Sequence, residues 1–247
     1  MKILGVIPAR YASSRFEGKP LKEINGHPMI EWVYKRAVNA DVDDLVVATD
    51  DERIYNVVKN FGGNAIMTSK EHENGTSRIM EVIAAPEYAG FDFVINIQGD
   101  EPLIDVNSIN LLADSYRREK SEIVTLKKEI SERWEIENPN VVKVVTDFND
   151  NAIYFSRWAI PYERDRNESL KYYKHIGIYG YTLKFLRELK SLKEGILEKS
   201  ESLEQLRFIE NGYKIKVLKT DAAVIGVDTP EDLKIVEEYV KKNNILL

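Results

Sequence analysis

The 247-residue sequence contains no cysteine, which excludes disulfides, zinc–thiolate centres and a thiol nucleophile. It also lacks an excess of positive charge. Its 35 lysines and arginines face 41 aspartates and glutamates, for a formal net charge of −6. A general nucleic-acid binder needs a net basic face, so nucleic acid is not an expected partner. Local basic loops in an acidic chain suit a small anionic substrate instead. No G-x-x-x-x-G-K-[ST] loop and no G-x-G-x-x-G turn occurs, which removes the signatures of a P-loop kinase and of a dinucleotide-dependent oxidoreductase. A G-x-S-x-G nucleophile elbow is absent too, so nothing supports a serine triad. The three histidines (His27, His72, His175) are scattered, with no i, i+4 pair to hold a metal. Long apolar runs are missing as well. The start, MKILGVIPAR, has one lysine and a very short apolar run ending at Pro8, too short for a signal peptide or a membrane span. These absences together predict a soluble, cytoplasmic protein with no membrane partner.

The hydrophobic content of 43% and charged content of 31% are ordinary for a globular protein, and the length suits one domain, with or without an added lobe. Strands are predicted at Lys2–Pro8, Leu45–Ala48, Ala65–Thr68, Phe93–Ile97, Ile123–Lys127, Val141–Thr146, Ile176–Thr182, Ile215–Leu218 and Val224–Val227. Helical periodicity covers Met29–Val38, Glu52–Phe61, Ser77–Ala84, Val106–Glu119, Leu183–Leu192, Leu203–Asn211 and Glu231–Lys242. Early strand–helix–strand alternation implies an α/β fold with a parallel sheet covered by helices. The first two strands are continuous apolar runs, as expected when both faces are buried. After about Glu119 the order is less regular, which suggests a smaller lobe around residues 120–180 within one domain spanning 1–247. Glu163–Lys171 is the most polar stretch and is expected to be a mobile loop, and Lys241–Leu247 is expected to fray.

Chemistry concentrates at the ends of predicted strands. Gly5–Leu21 (GVIPARYASSRFEGKPL) runs from an apolar strand into a loop bearing Arg10, Arg15 and Lys19 among small residues. Ligands bind at such strand ends in open α/β sheets, and successive N–H groups in a tight loop form an anion-binding concavity. Asn96–Pro102 (NIQGDEP) ends another strand with Asp100 and Glu101. Their oxygens suit Mg²⁺, which takes few protein carboxylates alongside water and phosphate, but Gly-Asp is also ordinary turn chemistry. Gly226–Pro230 (GVDTP) repeats the pattern with Asp228, as a metal ligand or as the cap of the last helix, a role open to Asp or Thr with Pro in the first turn. His72–Arg78 (HENGTSR) reads either as a segment where backbone amides and Arg78 meet a flat ligand edge or as a capped helix start.

The motif set resembles the 3-deoxy-manno-octulosonate (Kdo) cytidylyltransferases nearly end to end. Besides the segments above, the resemblance rests on ATDD at 48–51, NPNVVKVV at 138–145, YFSRWAIPYERD at 154–165, KHIGIYGY at 174–181, ESLEQLR at 201–207 and GVDTPEDL at 226–233. It implies a Rossmann-like nucleotide-diphospho-sugar transferase fold, a mostly parallel central sheet flanked by helices with a smaller dimerisation lobe, and a homodimer. It implies CTP as donor, Mg²⁺ as cofactor, and Kdo activation for lipopolysaccharide or capsule synthesis. By position, Arg10, Ser13, Arg15 and Lys19 match the triphosphate loop, and Thr76 and Arg78 the cytidine side. Asp100 and Asp228 match the metal carboxylates, and Lys19, Arg15, Asp100 and Asp228 form the implied catalytic set. Gln98, Arg157, His175, Tyr179, Glu204 and Gln205 match the pocket for the acidic sugar. Three positions depart from the family pattern: Asn74 stands in place of Ser, Ser77 in place of Asp or Glu, and Glu17 in place of Pro. The alternatives are a cytidylyltransferase for another acidic sugar (8-amino-3,8-dideoxy-manno-octulosonate or a sialic-acid-like compound) and a non-catalytic nucleotide-binding protein. Loss of Lys19, Asp100 or Asp228 would have favoured the second, and all three are present.

Overall fold

The computed structural model describes residues 1–13, 16–165, 170–222 and 225–247. Ser14, Arg15, residues 166–169 of the polar stretch, Ala223 and Val224 lie outside them. The chain forms two compact units, Met1–Ala113 with Ala223–Leu247, and Asp114–Ala222.

In the first unit β1 (Ile3–Ala9) leads through the basic loop to a small hairpin, β2 (Glu23–Ile24) and β3 (His27–Pro28). Asn25 and Gly26 turn it, with φ of 50° and 83°, the left-handed pair that Asn-Gly supplies. There follow α1 (Met29–Ala37), β4 (Asp44–Thr49), α2 (Glu52–Asn60), β5 (Ala65–Met67), α3 (Gly75–Val82), β6 (Phe93–Asn96) and α4 (Val106–Glu119), which belongs to this unit as far as Ala113. β1 pairs in parallel with both β4 and β6, and β4 pairs in parallel with β5. The strand interiors are apolar on both faces (Ile3, Leu4, Val6, Ile7, Val46, Val47 and Val94 are fully buried), as helix-covered parallel strands require. α2 buries Ile54 and Val58, four residues apart on one face, and Asp51 caps it by accepting from the Arg53 N–H at 2.9 Å. Apart from the hairpin, which was not expected, these spans match the predicted ones to within two residues at each end.

The second unit holds β7 (Ile123–Glu129), α5 (Arg133–Glu137), β8 (Lys143–Thr146), β9 (Ala152–Ser156), β10 (Tyr173–Thr182), α6 (Leu183–Leu189), α7 (Ile196–Glu201), α8 (Gln205–Glu210) and β11 (Lys216–Lys219). β10 pairs antiparallel with β7 and with β8, β8 pairs antiparallel with β9, and β11 runs parallel to β7. Stacked and edge-on rings of Tyr181, Phe185, Phe208 and Tyr213 fill its core at centroid distances of 4.9 to 6.3 Å.

The chain then returns to the first unit and ends in α9 (Pro230–Lys242). The strand expected at Val224–Val227 does not form over its described part, Ile225–Val227. Instead the Val227 N–H donates to the Asp100 carbonyl at 2.9 Å, and the Val227 side chain packs with Met29, Trp32, Leu103 and Val236. A single backbone bond replaces a ladder because Thr229 and Pro230 start the helix immediately afterwards.

One glycine is dictated by close approach. A Cβ on Gly99 would lie 2.7 Å from the Pro8 carbonyl oxygen at the end of β1, where neither backbone can yield. Gly99→Ala should therefore destabilise by about 1–3 kcal/mol, the usual range for overpacking, as read by urea unfolding. An unchanged midpoint would show that the β1 end can move.

Candidate active site

The ends of β1 and β6 and the start of α9 meet at a cavity of about 360 Å³ in the first unit, bordered by Arg10, Ser13, Lys19, Gln98, Asp100 and Asp228 among others. The basic loop reaches it through a tight closure. Gly18 takes the left-handed φ of 66° and its N–H donates to the Tyr11 carbonyl at 2.9 Å. The turn that follows, Lys19–Leu21, is a short 3-10 helix with Pro20 buried. The loop thereby aims Lys19 inward. Ser13 Oγ accepts from the Phe16 N–H at 3.3 Å. Glu17 is exposed and does not border the cavity; its charge acts on Arg53 instead. The acid that stands in place of proline thus lies on the exposed side of the basic loop, away from the cavity. Arg15, expected in both the catalytic and the nucleotide-binding sets, lies outside the described residues.

Lys19 Nζ sits 2.8 Å from Asp100 Oδ2 and 3.2 Å from Asp228 Oδ1, with only 14% of its side chain exposed. Two carboxylates 128 positions apart in sequence are thus gathered on one cation, drawn together by the Val227-to-Asp100 backbone bond beside them. The cap of α9 is Thr229, whose hydroxyl accepts from the Asp232 N–H, while the Asp232 carboxylate accepts from the Thr229 N–H. Asp228 is therefore not the cap, and its carboxylate is directed to the lysine. The adjacent Glu101 is buried, and burial followed by the charge of Asp100 pushes its carboxyl up to about 8. At neutral pH Glu101 therefore adds no charge to the turn.

These residues fit a divalent ion. The donor set is two hard oxygens already clustered on a positive charge, as Mg²⁺ needs when phosphate and water complete its shell. Among the described residues no group of three or more histidines and acids suits a self-sufficient metal cage.

His72, Glu73, Asn74 and Gly75 also border the cavity. Asn74 caps α3 by accepting from the Ser77 N–H at 2.8 Å, and Ser77 Oγ accepts in return from the Asn74 N–H. The two departures from the family pattern are thus the two ends of one capping box. Arg78 borders the cavity but is buried, its Nη2 2.7 Å from Asp50 Oδ2 and its Nη1 bonded to Thr68 Oγ1 and to the Ser69 carbonyl. It ties the segments after β4 and β5 together as well as supplying charge. Thr76 is buried in the first turn of α3 and does not border the cavity. Asn96, unassigned from sequence although it lies in NIQGDEP, does border it, with its Oδ1 buried and unpartnered.

The remaining predicted residues belong to the second unit. Arg157 follows β9 directly, and its guanidinium donates to three backbone carbonyls, Glu201 at 2.7 Å, Pro139 at 3.1 Å and Ser202 at 3.4 Å. His175 and Tyr179 lie on β10 across a bulge, with ring centroids 5.3 Å apart. The Thr125 hydroxyl lies 3.0 Å from His175 Nε2. Burial drives the imidazole down to about 3, so at neutral pH His175 offers hydrogen bonding and ring contact but no charge. The Tyr179 hydroxyl is buried, and burial followed by the charge of Glu204 raises it well above its usual value against an opposing hydrogen bond from Thr125. Glu204 stands at the start of α8, and Gln205 is buried in its first turn.

The sequence profile of a family described as "Cytidylyltransferase" matches residues 4–215. A protein of Fusobacterium nucleatum subsp. nucleatum named 3-deoxy-manno-octulosonate cytidylyltransferase is 59% identical over 246 residues, covering 99% of each chain. A protein of the same name from Solibacter usitatus is 48% identical, with 97% of this chain and 95% of that one covered. Among solved structures, a CMP:2-keto-3-deoxy-manno-octonic acid synthetase complexed with CTP superposes with a TM-score of 0.92 at 43% identity, over 98% of this chain and 100% of that one. That likeness carries the α/β architecture expected from sequence, a mostly parallel central sheet flanked by helices. With near-complete coverage at this identity, the chain belongs to the 3-deoxy-manno-octulosonate cytidylyltransferase family.

Proposed function

We propose that this protein activates an eight-carbon acidic sugar by the reaction CTP + Kdo → CMP-Kdo + diphosphate. The observation that carries the reading is the gathering of Asp100 and Asp228 on Lys19 at a cavity that the loop at 72–75 also lines. A nucleoside triphosphate needs cations for its β- and γ-phosphates and carboxylates for its metal, and both stand at one place.

The sugar's anomeric hydroxyl attacks the α-phosphorus; the bond from that phosphorus to the β-phosphate bridging oxygen breaks, and diphosphate carries off the electron pair. Transfers of this kind depend mainly on positioning and charge neutralisation. Arg10, Arg15 and Lys19 hold the β- and γ-phosphates and stabilise the leaving charge. Ser13 and Arg78, both of which border the cavity, serve the nucleotide. Asp100 and Asp228 hold Mg²⁺, which when bound neutralises phosphate charge and favours loss of the hydroxyl proton. Lys19, whose ammonium lies between the two carboxylates that would hold the ion, stands within reach of the same phosphates. Arg157 reads the sugar's carboxylate by a bidentate pair, and Gln98, His175, Tyr179, Glu204 and Gln205 take its hydroxyl groups.

The protein works as a cytoplasmic homodimer whose product supplies lipopolysaccharide or capsule assembly. No helix among the described residues is long and apolar enough to cross a membrane.

Diphosphate release should be measured with each of the four nucleoside triphosphates against Kdo, 8-amino-Kdo, a sialic acid and a neutral sugar 1-phosphate, with Mg²⁺ present. Turnover is expected with CTP and Kdo above every other pair. Activity confined to the neutral sugar 1-phosphate would overturn the reading.

A further inference from the structure

Lys143, on β8, is fully buried. Its ammonium donates to three backbone carbonyls, Asn138 at 2.9 Å, Val141 at 2.6 Å and Arg157 at 2.6 Å. All three of its N–H groups are used, and all on neutral acceptors. Burial pulls its pKa down, with the charge of Glu201 opposing and that of Arg157 adding to the shift. Taking an ammonium out of water is costly, and a methionine would fill similar volume without that cost. What the charge provides is connection: it joins the loop at 138–141 to the backbone of Arg157. The Pro139 carbonyl inside that loop is itself an acceptor for Arg157 Nη1.

Glu201, the last residue of α7, holds the same arginine from another side. Its Oε2 accepts from the Arg157 N–H at 2.9 Å, and its Oε1 accepts from Ser156 Oγ at 2.6 Å and Tyr154 Oη at 3.4 Å. Its carbonyl accepts from Arg157 Nε at 2.7 Å. Burial works to raise the carboxyl, but these hydrogen bonds outweigh it and keep Glu201 below the usual carboxylate range, hence charged. Ser202, with a left-handed φ of 51°, then turns the chain, and its carbonyl accepts from Nη2. The N–H, the carbonyl and all three guanidinium nitrogens of Arg157 are therefore fixed by two charged residues and the segments that they hold.

We infer that Lys143 and Glu201 are positioning residues for Arg157, a two-sided brace that fixes the direction of its guanidinium so that it distinguishes an acidic acceptor from an uncharged one. The inference rests on the reading of Arg157 as the group that takes the sugar's carboxylate. An anchor held in place before binding loses less freedom on binding, and small misplacements of such a group carry large penalties.

The test compares Glu201→Gln, Lys143→Met and Arg157→Lys with the unaltered protein. KM for Kdo, KM for CTP and the kcat/KM preference for Kdo over its C1 carboxamide are measured in each. Glutamine keeps an acceptor toward Ser156 and Tyr154 but turns an NH2 toward the Arg157 N–H. Glu201→Gln should raise the Kdo KM by about tenfold or more, leave the CTP KM within about twofold, and shrink the acid-over-amide preference toward that of Arg157→Lys. Lys143→Met should move the same quantities in the same direction; if that variant does not fold, Glu201→Gln decides. An ordinary preference and Kdo KM in folded Glu201→Gln, beside an impaired Arg157→Lys, would overturn the brace alone. An Arg157→Lys protein with unaltered Kdo KM would remove the reading of Arg157, and the brace with it.

Discussion

Asp100→Asn and Asp228→Asn are each expected to lower turnover at least about a hundredfold, the usual scale for one lost electrostatic stabiliser, with little change in thermal transition. Each amide keeps the shape of the side chain but loses the charge that attracts Mg²⁺. Neither carboxylate is fully buried, their side chains being 34% and 47% exposed, so the fold does not depend on them. Thr229 makes the second expectation sharp. Because its hydroxyl caps α9, Thr229→Ala should cost about 1 kcal/mol of stability while turnover stays close to normal. The two neighbours then separate the roles of cap and ligand. Steady-state kinetics with thermal unfolding checks both; an Asp228→Asn enzyme that loses stability but not turnover would return Asp228 to a structural role.

Arg157→Lys carries the other large effect. Arginine offers five N–H donors in a planar fork, and lysine a single ammonium. Three of the fork's bonds run to the Glu201, Pro139 and Ser202 carbonyls, so lysine loses both the fixed direction and the bidentate pairing. Removing such a charged anchor costs on the order of 2–4 kcal/mol, which corresponds to roughly a 30- to several-hundred-fold rise in the sugar KM at 1.4 kcal/mol per tenfold. The CTP KM should change little. Initial-rate kinetics with each substrate varied in turn reads the two constants separately, and an unmoved sugar KM would rule out the role.

The first unit was legible in the sequence because its signals are local. β1 and β4 are unbroken apolar runs, and Asp51 and Thr229 occupy ordinary capping positions. Even there, Val224–Val227 reads as a strand by apolarity alone, and only the backbone bond from Val227 to Asp100 shows what the segment does. The hairpin at 23–28 escaped because two-residue strands show no alternation, although Asn25-Gly26 marks its turn. In the second unit β9, α5 and α7 were missed, each only five or six residues long. Those omissions hid the supports of Arg157, since β9 delivers it and α7 delivers Glu201. Asp100 and Asp228 were identifiable one at a time as acids at strand ends. That these acids and the basic loop meet at one edge follows from their places at strand ends of one sheet; their direct pairing with Lys19 is a tertiary fact that spacing along the chain does not encode, and so are the pairing of Arg78 with Asp50 and the outward course of Glu17.

The most direct test of the central claim follows one oxygen atom. Kdo labelled with oxygen-18 at its anomeric hydroxyl is incubated with CTP, Mg²⁺ and the protein, and both products are analysed by mass spectrometry. Attack by that hydroxyl on the α-phosphorus predicts labelled CMP-Kdo and unlabelled diphosphate. Unlabelled CMP-Kdo, or label in the diphosphate, would contradict the account.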